Sequence, residues 1–334
     1  MNRYTRESIN PVLCRAGLAA FTAVLVAAVF SFPVFAQDTD RKKFKSPEAA
    51  FSALLDATKS NDTRELLSIF GPSGKKIISS GDAVADKEAR ERFVKSAGDA
   101  VTFSKVDDST MLAVIGKDGW YFPIPLVKSP QGWAFSTEDG KEEIINRRIG
   151  RNELRAIQVA LAYVDGQYEY ASKDRDGGGV LQYAGKLVST PGKKDGLYWE
   201  AAPKDEASPL GPLFARATEE GYTFTKKTEK PSPYHGYYFK ILTRQGGNAS
   251  GGELDYVING KMTAGFGLVA YPAEYGVSGI MTLIVNQQGI VYEKDLGPRT
   301  EDLAKKMTKY DPDKTWEKEQ WTPDALARAD VNMQ

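Results

Sequence analysis

Apolar positions fall into two successive blocks, each opening with helical period and closing with strand period. In the first block Phe51, Leu54 and Leu55 recur at helical spacing behind Ser46-Pro47-Glu48. There the serine can cap, the proline suits a first turn and the glutamate favours the positive end of the helix dipole. Asn61 or Asp62 caps a second short helix that stops at Gly71-Pro72, and DKEARERFVKSAG reads as a third. The period then shortens. VTFSKV, TMLAVI, WYFPIPLVK and GWAFST are strands, with turns at Lys117-Asp118-Gly119 and Ser129-Pro130-Gln131-Gly132. Helices followed by an antiparallel meander predict a small α+β domain over residues 40–140.

The second block covers 141–300. Leu154, Ile157, Leu161, Val164, Tyr168 and Ala171 line one face of a long helix, while Arg151, Arg155, Gln158, Asp165 and Glu169 fall on the other, polar side. DRDGGG ends that helix and a loop rich in Lys, Gly and Pro follows. HGYYFKILT, GFGLVAYPAEYG and GIMTLIVNQQGIVYEKDLG are then strands, the last folded into a hairpin at Asn286-Gln287-Gln288-Gly289. GGNASGG, residues 246–252, reads as a flexible hairpin tip. The expected fold class is α+β in two domains, the second a long helix on an antiparallel sheet. Residues 301–334 add one short helix, EDLAKKM, and a polar tail in which YDPDKTWEKEQW is too polar to pack on its own.

The first 36 residues stand apart. Arg3, Arg6 and Arg15 precede the apolar run AGLAAFTAVLVAAVF, and Val34 and Ala36 occupy small-residue cleavage positions, the pattern of a secretory signal peptide. The run is short for a spanning helix, so no membrane span is expected after cleavage. Cys14, the one cysteine, precedes that run, which leaves the expected mature chain without disulfides, thiolate ligands or a cysteine nucleophile. The 44 basic and 44 acidic side chains balance, and supply no field for steering nucleic acid.

Chemistry is sparse. In DRDGGGVLQYAG, Asp174 and Asp176 are spaced as alternate calcium ligands with Gly179 at the sharp turn, but Gly178 and Gly185 stand where two further oxygen ligands belong. The same residues also serve as a helix stop, glycines taking positive φ and aspartates accepting turn hydrogen bonds. His235 is the only histidine, which excludes His-clustered metals. Ser232 lies near it, yet no Gly-x-Ser-x-Gly elbow exists. Lys193, Lys194, Tyr198 and Trp199, with Tyr234, His235 and Tyr237, are candidates for a glycan- or peptide-binding surface, since aromatic faces beside polar groups suit both. The alternative for these aromatics is a place in the core.

Three resemblances follow from these residues. The first block resembles the SnoaL-like cone fold in element order. The second resembles the globular head of type IV pilins and pseudopilins, through NELRAIQVALAYV, the Gly-Tyr before the first strand, the Ala-x-Pro and Tyr-Gly-x-x-Gly of AYPAEYGVSG and the closing NQQGIVY. A folded domain and the charged KEEIINRRIGR precede this helix, so the fold carries over and the filament function does not. Taken whole, through FKSPEAA, WYFPIPLVK, NRRIGRNE, STPGKKDGLYW, SPLGPL, PYHGYY and VYEKDLG, the chain resembles an exported bacterial domain-of-unknown-function family. That implies a Gram-negative periplasmic or cell-envelope protein and supplies no activity. The expected function is a non-enzymatic envelope binding or assembly module whose partner is a protein, peptidoglycan or another glycan. The alternative is an envelope hydrolase working through acidic residues near the 174–199 loops.

Overall fold

The computed structural model describes residues 41–175, 177–202, 204–223 and 232–320, so the expected signal peptide lies outside the described residues. Helix α1 (Pro47–Lys59) starts where the sequence provides for it: Ser46 Oγ accepts the Ala49 N–H at 3.2 Å. Asp62 caps α2 (Thr63–Phe70) through the Glu65 N–H at 3.0 Å, and Gly71, at φ 73°, ends it. A single turn, α3 (Lys75–Ile78), leads to α4 (Ala83–Asp99), whose cap is Asp82. The strands β1 (Val101–Lys105), β2 (Thr110–Ile115), β4 (Leu126–Ser129) and β5 (Gly132–Phe135) form an antiparallel meander with β3 (Trp120–Tyr121) added to β2. The stretch expected as one strand, WYFPIPLVK, is thus two. Pro123 and Pro125 lack the N–H a ladder needs, yet Phe122, Ile124 and Leu126 keep the alternation of a strand and are all buried across the break. Phe51 of α1 meets Phe103 and Phe122 edge-on at 6.1 and 6.5 Å, in a core that Leu54, Ile69, Ile115 and Phe135 complete.

Helix α5 (Thr137–Ala171) then runs for 35 residues, and the domain boundary expected at 140/141 falls in its first turn. Ile144 packs on the core just described, while Ala156, Ile157, Ala160, Tyr163, Val164 and Tyr170 belong to a second core. One part of the polar face departs from expectation. Asp165 and Glu169 are exposed, but Arg151 and Arg155 are half-buried, because α4 lies against this end of the helix.

After α5 a long loop leads to α6 (Gly211–Glu219) and β6 (Tyr237–Leu242). A small three-stranded sheet combines β7 (Arg244–Gln245) and β8 (Leu254–Asp255) with β14 (Lys309–Tyr310), and β9 (Val257–Ile258) pairs with β10 (Lys261–Met262). The main sheet has the order β15-β13-β12-β11-β6, all antiparallel, from β11 (Gly267–Pro272), β12 (Met281–Asn286), β13 (Tyr292–Asp295) and β15 (Glu317–Lys318). Both faces are covered. Leu268, Ala270, Leu283 and Val285 point to the core under α5, and Val269, Tyr271 and Ile284 to a smaller core with Ala304 of α7 (Thr300–Lys306) and Tyr310. Two polar stretches are better held than expected. In GGNASGG the Asn248 N–H and Nδ2 both donate to Asp311 Oδ1, at 2.9 and 3.0 Å. In the tail, backbone pairing of β15 with β13 and the half-buried Trp316 supply what apolar content could not. The architecture is therefore a mixed α+β fold in two regions, each with helices on an antiparallel sheet. Among the described residues no helix is long and apolar enough to cross a membrane.

Candidate functional site

The aromatic residues singled out in the sequence do not form one surface. Tyr198 lies flat on Phe214, ring centroids 4.1 Å apart and 6° from parallel, and the buried Trp199 donates its Nε1–H to the Glu206 carbonyl at 3.0 Å. Lys194 Nζ reaches Glu206 Oε2 at 3.1 Å, and Lys193 is exposed. Tyr234 and Tyr237 close a two-residue turn through His235 and Gly236, at φ 48° and 77°, with reciprocal backbone bonds of 2.8 and 3.1 Å. Tyr237 is fully buried and donates to the Met281 carbonyl at 2.9 Å. His235 is buried between Arg155 Nη1, 2.8 Å from Nδ1, and Glu220 Oε2, 3.1 Å from Nε2. Arginine only donates, so Nδ1 accepts and the tautomer serving both partners carries its proton on Nε2.

The DRDGGG loop closes on itself. Asp174 Oδ2 accepts the Gly179 N–H at 2.7 Å, with Gly177 and Gly179 at φ 68° and 72°, while Asp176 lies outside the described residues. Among the described residues there is no group of three or more His, Cys, Asp or Glu placed to hold a metal ion. Arg175, which is no part of the calcium-loop pattern, anchors the loop. Its Nη1 donates to the Glu169 carbonyl at 3.0 Å and to that of Tyr170, its Nη2 reaches Glu206 Oε1 at 3.2 Å, and the guanidinium covers Tyr170 and Trp199. It thereby satisfies carbonyls at the negative end of α5. Arg175→Ala is expected to lower unfolding free energy by about 2–3 kcal/mol, measured by urea denaturation. The nearby acids stay ionised. Hydrogen bonds from Lys173 and Lys194 hold Glu206 at about 2. Burial pushes Asp195 up, but bonds from Lys186 and Thr190 outweigh it and hold that carboxyl at about 2. Neither matches a general acid working near neutral pH.

A different place in the fold gathers cations. Where α1, α2, α4 and α5 meet the β3 edge, the first region forms a half-open cavity of about 340 Å³ walled by Leu54, Leu66, Phe70, Phe93, Phe122 and Ile144. Arg90 and Arg92 enter it from α4, and Arg147, Arg148 and Arg151 from α5, where the spacing of three and four puts them on one face. Arg90 donates to Asn61 Oδ1 and the Ile78 carbonyl, both at 2.6 Å, and Arg148 to the carbonyls of Lys76 and Ile77 at 2.7 and 2.5 Å. These oxygens are neutral, so they fix each guanidinium fork without cancelling its charge. Arg92 pairs with Glu88, and Arg147 with Glu143 at 2.6 Å while lying over Trp120. The Arg151 side chain makes no hydrogen bond and no ion pair among the described residues. Burial, then repulsion from Arg92, Arg155 and Arg148, pulls it down to about 10. Asp86 also lines the cavity, but its carboxylate is engaged by the Ser80 N–H at 2.9 and 3.1 Å. Such an arrangement can orient an anion and bury an apolar body beneath it. The sequence carried one overlooked sign of it: Arg147, Arg148, Arg151 and Arg155 repel one another at helical spacing, at about 0.2–0.5 kcal/mol per pair.

A second unusual group lies under the main sheet edge. Glu153 Oε1 accepts the N–H groups of Ile280 and Met281 at 2.9 and 3.0 Å. Burial, then the charge of Glu319, pushes the half-buried Glu293 up to about 8. The folded chain therefore keeps a proton that the unfolded chain releases near 4.5, and stability falls as pH rises between those values. Discounted for the partial exposure of the group, the loss is about 1–2 kcal/mol. Scanning calorimetry should show a melting temperature a few degrees lower at about pH 9 than at about pH 5, with Glu293→Gln flattening the slope.

A family model described as "Protein of unknown function (DUF2950)" matches residues 41–319. No curated protein matches the chain, and no solved structure does.

Proposed function

The chain belongs to the DUF2950 family, whose description carries no activity, and from that premise we propose that it is an exported, non-enzymatic binding module of the cell envelope whose ligand is an organic anion with an apolar body. The observation that carries this reading is Arg151: a half-buried guanidinium without a partner among the described residues, set beside other arginines at the mouth of an apolar cavity. The acid that attracts it, Glu88, is shared with Arg92 and Arg155, and a half-buried cation balanced so thinly is costly until a ligand anion relieves the cost. Within this proposal the ligand site moves from the aromatics near Trp199 and Tyr237 to the cavity of the first region. Export rests on the signal-like pattern of residues 1–36. The SnoaL-like resemblance is kept as a likeness of element order and the pilin-head-like one as a likeness of motifs, with no filament role carried over. What weighs against the hydrolase alternative is that Asp195 and Glu206 stay ionised.

Isothermal titration of the purified protein with dodecanoate and with dodecyl phosphate tests the reading. At least one should bind with a measurable heat, and Arg151→Ala should weaken that binding about tenfold or more, the worth of one charge-assisted hydrogen bond. Absence of heat with both amphiphiles would sink it.

A further inference from the structure

Resting on the reading that the cavity takes an amphipathic anion, we infer that the head of that ligand is doubly charged: a phosphate monoester or diphosphate on an apolar tail. The argument is one of charge balance. Five guanidiniums line the cavity. Glu88 balances Arg92 and Glu143 balances Arg147. The Asp86 carboxylate, which lies in the wall and attracts Arg148, balances a third. Arg90 and Arg151 are left with no acid in bonding contact among the described residues: Arg151 shares the attraction of Glu88 with Arg92 and Arg155, and Arg90 is held only by an amide oxygen and a carbonyl. Widening the circle to Arg155 and Glu274, which act on Arg151 and Arg148, adds one charge of each sign and leaves the surplus at two.

A carboxylate would neutralise one of these cations and leave the other buried and unpaired, whereas a phosphate monoester, close to two negative charges near pH 8, answers both. Geometry agrees with charge. Arg90 is fixed from α4 and Arg148 from α5 by neutral oxygens, so two guanidiniums keep their charge and their remaining N–H donors in place before any ligand arrives, and Arg151 remains to close on it. Planar forks suit the several oxygens of a phosphoryl group, which can be bound bidentately by more than one arginine. The apolar wall of phenylalanines, leucines and isoleucine takes the tail, which a free phosphate lacks.

The test is a set of calorimetric titrations of the full protein at about pH 8 with dodecyl phosphate, dodecanoate, dodecan-1-ol and inorganic phosphate. Dodecyl phosphate should bind at least about tenfold tighter than dodecanoate, and both more tightly than the alcohol. In Arg151→Gln the preference for phosphate over carboxylate should collapse, while the ligand-free melting temperature rises because a repelling charge has gone. Arg90→Gln provides a second variant with the same expected loss of preference. Binding of dodecyl phosphate and dodecanoate within twofold of each other overturns the double charge and leaves the amphiphile reading standing. No binding of either brings down both. Inorganic phosphate binding as tightly as dodecyl phosphate overturns the tailed ligand in favour of a free phosphate.

Discussion

Asp82→Ala is expected to remove about 3–5 kcal/mol of unfolding free energy and to lower the melting temperature by roughly 10 °C. Asp82 is buried at 2 % exposure and uses both oxygens. Oδ1 caps α4, accepting the N–H groups of Val84 and Ala85 at 3.1 Å. Oδ2 accepts the Tyr222 hydroxyl at 2.9 Å and the Gly236 N–H at 2.8 Å. The carboxylate of the first region therefore holds two donors from the second. Alanine leaves all four without their acceptor, and the Tyr222 hydroxyl and Gly236 N–H lie where water does not reach. Asp82→Asn separates the two jobs: its carbonyl oxygen still caps the helix, but its amide faces two donors, so about half of the loss should remain. Urea denaturation followed by far-UV dichroism measures both, and a loss below about 1 kcal/mol in the alanine variant would remove Asp82 from this role.

Two glycines of α5 should respond to alanine with opposite signs. A Cβ at Gly140 would stand 2.2 Å from the Pro123 carbonyl oxygen, 2.5 Å from its carbon and 2.6 Å from Ile124 Cα, all backbone. The Phe122-Pro123-Ile124-Pro125 link cannot yield easily, because its prolines fix the chain and Phe122 and Ile124 are buried. Gly140→Ala must then lift the first turn of the helix off the link, at about 3 kcal/mol of overpacking. At Gly150 a Cβ would meet nothing within 4 Å, and alanine there gains about 1 kcal/mol of helix propensity. Equal effects at the two positions, by calorimetric melting of the pair, would contradict the close approach at Gly140.

The local layers of this fold were readable because they depend on neighbours in sequence. Ser46, Asp62 and Gly71 act within four residues of themselves, and their helices begin and end where they dictate. The longer strands follow from alternation, except where two prolines in WYFPIPLVK divide one run, whereas β7 to β10, β14 and β15, of two residues each, are too short to show any alternation. The long helix was readable from its apolar stripe, but the fate of its polar face was not. Periodicity tells which residues share a face, not what lies opposite; α4 lies opposite Arg151 and Arg155. The cavity unites Arg90 with Arg151 across about sixty positions of chain, and nothing in either segment alone reports the other. The aromatic stretch near Trp199 illustrates the converse: composition marked it as a binding surface or as core, and only the stacking on Phe214 and the bond to Glu206 give its place. Arg175 stands at a position where a calcium loop needs no ligand, so the spacing of its acidic neighbours says nothing about it.

Helix α5 contributes side chains to both main cores and spans roughly 50 Å. A rigid member shared in this way removes the usual freedom of two adjoining regions to swing about a linker. Its arginines at one end and its tyrosines at the other are carried on the same rod, Tyr163 donating to the Gly267 carbonyl at 3.1 Å and Tyr168 to that of Gln287 at 2.6 Å. Unfolding of either region would strip one end of this shared helix, so the two should melt in a single cooperative transition.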